Sequence, residues 1–126
     1  MKKYFIEPKE GFSQAVITET TTTKTIHISG QIGDGNNLES QTTSTFRNLE
    51  QQLLNCNATF KDVVKMTTYI VNFNPEQDLP IFRKVRKEFL GESNYPASTL
   101  VGVSILGKRE CLIEMEAIAI IEKTNL

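Results

Sequence analysis

Residues 112–120 read Leu112-Ile113-Glu114-Met115-Glu116-Ala117-Ile118-Ala119-Ile120, an apolar run interrupted only by two carboxylates. Side chains on a strand alternate between its faces. Ile113, Met115, Ala117 and Ala119 therefore share one face, and Glu114 and Glu116 share the other with Leu112, Ile118 and Ile120. A strand with apolar residues on both faces needs cover on both sides, which in a small domain often comes from another subunit. Two carboxylates on such a strand must meet solvent or a partner, or they cost on the order of several kcal/mol each. Two readings stay open: an exposed sheet face or inter-subunit ion pair, and a catalytic carboxylate in an interface cleft. Spacing does not separate them.

Working outward from this strand (Cys111 to Ile121), a turn at Gly107-Lys108-Arg109-Glu110 joins it to a strand from Ala97 to Leu106. There Val101, Val103 and Ile105 share one face, with Leu100 and Leu106 on the other. A helix precedes, with Leu79, Phe82, Val85, Phe89 and Leu90 as its stripe and Gly91 as its end. Asn74 resembles a cap, but a helix starting there would hold Pro80 in its interior, so the helix is expected to start near Asp78. Val63 to Phe73 is a β run apolar on both faces, which predicts a central strand. Leu38 to Asn57 reads as the first helix, with Phe46, Leu49, Leu53 and Cys56 at helical spacing. Thr42 to Thr45 are poor helix formers that packing must hold. Ser13 to Thr18 and Lys24 to Gln31 alternate as strands around a Thr-rich hairpin connection, and Gly33-Asp34-Gly35-Asn36-Asn37 is a loop. The order β-β-α-β-α-β-β has two strand-helix-strand crossovers. It implies an α+β fold with a mixed sheet and both helices packed on one face.

The 126 residues suit one domain, residues 1–126. Lys plus Arg total 14 against 15 Asp plus Glu. The only basic run, Arg83-Lys84-Val85-Arg86-Lys87, lies on a helical pattern and reads as a solvated face, so nucleic acid is not an expected partner. No apolar stretch follows Met1-Lys2-Lys3-Tyr4, and none approaches the ~20 residues of a membrane span. A cytoplasmic location without membrane attachment is expected. Cys56 and Cys111 lack metal or redox spacing and read as packing residues. His27, the one histidine, has no nucleophile partner in the pattern and reads as a strand residue. Gly30, Gly33 and Gly35 form no phosphate loop. Neither metal nor cofactor is expected.

Ser29-Gly30-Gln31-Ile32, Phe46-Arg47-Asn48-Leu49, Tyr95-Pro96-Ala97 and Glu114-Met115-Glu116-Ala117-Ile118-Ala119 occur in this order over nearly the whole chain. Together they resemble the segments of the reactive-intermediate deaminase (RidA, or YjgF-like) family. In that family the Asn-Leu pair of the second segment faces the core. The resemblance implies a chorismate-mutase-like α+β fold, a homotrimer and ligand clefts between subunits. It also implies hydrolysis of enamines and imines to a carbonyl compound and ammonia, without metal or cofactor. Glu114 matches the family's site glutamate, and Ser29 and Gly30 match cleft-lining positions.

The chain also departs from that pattern. Ser98 stands where the family's best-known deaminases carry an arginine that grips the substrate carboxylate, and serine cannot make that bidentate charged contact. Phe12 takes the place of a pocket tyrosine and Arg83 that of a pocket asparagine. Ser98, Thr99 and Leu100 are therefore expected to line a different pocket. Slow turnover of simple α-imino acids follows, unless Arg83 reaches the carboxylate from its helix. The resemblance thus points to a cofactor-free imine or enamine deaminase. The alternative is a non-catalytic small-molecule binder using the same cleft. A ribonuclease role, an old label for the family, fits poorly with the absence of a basic face.

Overall fold

A computed structural model describes residues 1–123 of the chain. Alternating residues form the strands β2 (Ala15–Glu19) and β3 (Thr23–Gln31), paired antiparallel from Ala15↔Ile28 to Glu19↔Lys24. Between them the Thr20 hydroxyl accepts the N–H groups of Thr22 and Thr23 at 3.3 and 3.0 Å, fixing the turn. The hairpin is extended by a strand the sequence pattern did not announce, β1 (Lys2–Ile6), which pairs with β2. Four of its five residues are exposed, so it carries no burial periodicity. Backbone pairing and the Tyr4 hydroxyl, which donates to Glu19 at 2.9 Å, hold it in place.

Helix α1 (Leu38–Asn55) starts at Asn37, whose side chain accepts the Ser40 N–H while the Ser40 hydroxyl accepts the Asn37 N–H. This reciprocal cap satisfies two of the donors a helix start leaves free. Thr42 and Thr45 are fully buried, and Thr42 Oγ1 donates to the Leu38 carbonyl at 2.6 Å. Packing does hold that turn. In the Asn48-Leu49 pair only Leu49 faces the core; Asn48 is exposed.

After β4 (Val63–Val71) comes α2 (Pro75–Leu90), which begins earlier than Asp78 and contains Pro80. Pro80 leaves one intrahelical bond unmade. The Asn74 side chain accepting from Glu76 N–H, Pro75 preset in the first helical position, and buried Phe82 and Val85 offset that loss. Gly91, at φ 77°, ends the helix. The chain closes with β5 (Ala97–Val103) and β6 (Ile113–Glu122), both starting or stopping short of the expected limits because residues 104–112 form a loop.

The six strands form one mixed sheet in the order β1-β2-β3-β6-β4-β5. Strand β6 is antiparallel to both β3 and β4, and β4 and β5 run parallel. The last strand in sequence is thus inserted mid-sheet, and β4 is interior as its two-sided pattern implied. Both helices cover one face. Phe46, Leu49 and Leu53 of α1 and Phe82 and Val85 of α2 bury against Ile26, Met66, Ile70, Ile113, Met115 and Ala119. Phe46 stacks on Phe89 at 5.0 Å and lies 6.1 Å from Phe82. Burying each large side chain contributes roughly 1.5–3 kcal/mol. The opposite sheet face has no covering layer among the described residues, and Val101 and Ile120 remain 38% and 42% exposed there. Among the described residues no helix is long and apolar enough to cross a membrane.

Candidate active site

Because β6 is central, its outward side chains emerge in the middle of the open sheet face. Alternation there sends Ile113, Met115, Ala117 and Ala119 into the core and leaves Glu114 and Glu116 half-buried on the open side. The two carboxylates have different surroundings. Glu116 accepts a hydrogen bond from the Tyr69 hydroxyl at 2.6 Å. The carboxylate in turn raises the pKa of that phenol, chiefly through the hydrogen bond. Among the described residues Glu114 has no such partner: burial, and then the nearby charge of Glu116, push its carboxyl above the usual carboxylate range. A carboxyl shifted in this direction holds its proton to higher pH than an ordinary carboxylate does.

Glu114 lies directly over Gly30. A Cβ at residue 30 would stand 2.7 Å from Glu114 Cδ and 2.8 Å from Oε2, so only glycine leaves room for the carboxylate. Strand β3 is irregular at this point, its register against β6 shifting between Ile28 and Gln31. Side-chain bonds fix the irregular segment. Ser29 Oγ donates to the Ser13 carbonyl at 2.6 Å. Gln31 Nε2 donates to Gln14 Oε1 and the Ser29 carbonyl, and Asn48 Nδ2 to the Ile32 carbonyl at 2.7 Å.

Around Glu114 is a cavity of about 480 Å³ lined by Glu10, Phe12, Gln14, Gly30, Gln31, Ile32, Asn48, Gly107, Lys108 and Glu114. A second hollow of about 350 Å³ lies alongside, lined by Val16, His27, Ser29, Lys65, Thr67, Glu116 and Ile118 among others. Its carboxylate is already engaged by Tyr69, whereas the first holds the carboxylate that, among the described residues, has no side-chain donor.

Of the residues singled out from the sequence, Glu114, Gly30 and Phe12 meet in one cavity. Ser29 faces the neighbouring hollow. Thr99 is on the open face of edge strand β5, where Lys65 Nζ donates to its hydroxyl at 2.7 Å, but it lines neither cavity. Ser98 and Leu100 do not share a pocket wall with it. They pair in register with Met66 and Thr68, which are buried on the helix side, so alternation turns them to that face. Arg83 is exposed on α2, in the layer across the sheet, and within one chain it does not join Glu114. The sequence reading missed Glu10, Gln14, Asn48 and Lys108. Lys108 stands in the turn just ahead of β6, the one local signal that pointed to it.

A family model described as Endoribonuclease L-PSP matches residues 3–121. The chain belongs to this family, the RidA/YjgF-like proteins. Among its relatives is a 2-iminobutanoate/2-iminopropanoate deaminase of Dermatophagoides farinae, 35% identical over 124 residues that cover 92% of this chain and 90% of that protein. Two solved structures from Yersinia pestis, both of the conserved Rid protein family, share the fold. YyfB is 32% identical, with a TM-score of 0.72 over 96% of this chain and 100% of that one. YyfA is 27% identical, with a TM-score of 0.80 over 94% and 98%.

Proposed function

We propose that this protein hydrolyses reactive imines and enamines to a carbonyl compound and ammonia, without a cofactor, in the cavity around Glu114. The observation that carries this reading is the unpartnered, half-buried carboxyl of Glu114 over Gly30, its pKa raised by burial. The Dermatophagoides farinae relative, named as an imine deaminase, supports it.

An enamine takes a proton from the Glu114 carboxyl at its terminal carbon and becomes an iminium ion. Water then attacks the iminium carbon. As the C–O bond forms, Glu114 carboxylate accepts a proton from the water, giving a carbinolamine. The carboxyl returns that proton to the amine nitrogen. Loss of the carbinol O–H proton to Glu114 then forms C=O as the C–N bond breaks and ammonia leaves. Such proton transfer contributes about 10²- to 10⁴-fold in rate. The reading includes a homotrimer, in which a neighbouring copy covers the open sheet face and completes the cleft. Two carboxylates on that face, Glu114 and Glu116, would repel a nucleic-acid backbone.

The test is the lifetime of an imine generated in situ by an amino-acid oxidase. Faster disappearance with the protein present is the expected result. An unchanged rate together with measurable ligand binding would replace this reading with that of a small-molecule binder.

A further inference from the structure

We propose that Lys108 is the specificity-determining residue of this site, its ammonium holding the anionic end of the substrate while Glu114 acts on the imine. The inference rests on the reading of Glu114 given above. Within one chain and among the described residues, Lys108 is the one cation lining the Glu114 cavity, and no ion pair among them occupies it: those formed by lysines join Lys84 to Glu39, Lys87 to Glu92 and Lys123 to Glu19. Within one chain, Arg83 and Ser98 do not line this cavity.

The loop that carries Lys108 is anchored from the core. Gln41, a buried side chain on α1, donates from Nε2 to the carbonyls of Glu110 (3.0 Å) and Gly35 (3.1 Å). Its Oε1 accepts the Leu112 N–H at 2.8 Å, and the Cys111 N–H donates to the Lys108 carbonyl at 3.1 Å. One side chain therefore ties the loop bearing Lys108 to the start of the strand bearing Glu114, holding the two backbone segments in one arrangement before any ligand arrives. Such preorganisation lowers the cost of binding.

The charge pattern selects the ligand. A protonated imine with a carboxylate on the adjacent carbon is a small zwitterion. Glu114 faces its cationic nitrogen, Lys108 its anion, and Phe12 and Ile32 an alkyl chain. A charge-assisted hydrogen bond of this kind corresponds to about 10- to 100-fold in affinity. Lysine makes a single-point contact rather than the two parallel bonds of an arginine, so the site is functional but weaker in carboxylate binding than an arginine site.

The experiment measures binding and turnover side by side. Wild type, Lys108→Ala and Lys108→Arg are titrated with 2-oxobutanoate and with its neutral methyl ester, followed by protein NMR, and 2-iminobutanoate hydrolysis is measured in parallel. Wild type is expected to prefer the acid over the ester. Lys108→Ala is expected to abolish that preference, weakening acid binding about 10- to 100-fold with kcat nearly unchanged, and Lys108→Arg to keep it. Lys108→Gln gives the same comparison should Lys108→Ala fail to fold. No preference in wild type, or a preference intact in Lys108→Ala, overturns the proposal. A Lys108-dependent preference in a protein that hydrolyses no imine would sink the deaminase reading alone. Imine turnover with equal kcat/KM in wild type and Lys108→Ala would sink this one alone.

Discussion

Tyr69 stands opposite Glu114 in the register of β4 and β6, yet its hydroxyl donates to Glu116, 2.6 Å away. That diagonal bond separates two carboxylates that the alternation of the strand makes equivalent. Glu116 is held in place by a donor, and Glu114 is left bare beside its charge.

Glu114→Gln preserves shape and removes the titrating group. Imine turnover is expected to fall about 10²- to 10⁴-fold, whereas Glu116→Gln, which can still accept from Tyr69, loses far less. Steady-state kinetics on both variants provide the check. Equal losses would remove the distinction drawn here, and dissociation of the assembly by Glu114→Gln would make its role an inter-subunit contact.

The pH profile should report the same pair. Hydrolysis of a preformed imine needs ionised Glu114, so kcat/KM rises as pH passes its raised pKa. The charge of Glu116 contributes to that rise in pKa. Removing it in Glu116→Gln lowers the Glu114 pKa and moves the acid limb of the profile to lower pH. An unmoved limb would mean that another group controls it.

Gly30→Ala tests the space above the strand. The new Cβ meets the Glu114 side chain, with Cδ at 2.7 Å, Oε2 at 2.8 Å and Cγ at 3.0 Å, and no backbone atom among the nearest contacts. The carboxylate can swing aside, so thermal stability should change little. Misplacing a catalytic group by about 1 Å can cost on the order of 10²-fold, and turnover is expected to fall by about that factor. Full activity in a folded Gly30→Ala would show that the carboxylate works from another position.

Under the proposed reaction, stability and chemistry conflict at Glu114. Burial penalises its ionised form, so the folded pKa lies above the unfolded value and the fold binds more protons across that window. Stability from this group is present below the unfolded pKa and declines as pH rises through the folded one. Glu114→Gln should therefore melt above wild type at pH 7, and the gap should close as pH drops below the ordinary carboxylate range. Thermal scans at both pH values decide it.

Val101 and Ile120, 38% and 42% exposed, share the uncovered sheet face with Val16 and Ile118. A lone domain rarely leaves such a face in water. Light scattering at micromolar concentration is expected to give three times the chain mass, and a stable monomer would refute the assembly.

The sequence determined what depends on neighbours along the chain. Period-two alternation placed Glu114 and Glu116 opposite Met115 and Ala117. The helical stripes of Phe46, Leu49 and Leu53 and of Phe82 and Val85 marked both core-facing helices, and the segments around Ser29, Asn48, Pro96 and Glu114 were enough to suggest the family. Tertiary structure decided what depends on residues distant in sequence. Insertion of β6 between β3 and β4 put Gly30 beneath Glu114 and Tyr69 beside Glu116. Edge strand β1, held by backbone pairing with few buried side chains, left no pattern to read. Ser98 and Leu100 share a short segment with Thr99 but alternate away from it, and Arg83 lies across the sheet. Lys108 reaches the cavity because Gln41, 67 positions earlier in the chain, ties down its loop. Local periodicity reports which way a side chain turns. Which side chains it then meets is set by strand order, through contacts that no local pattern encodes.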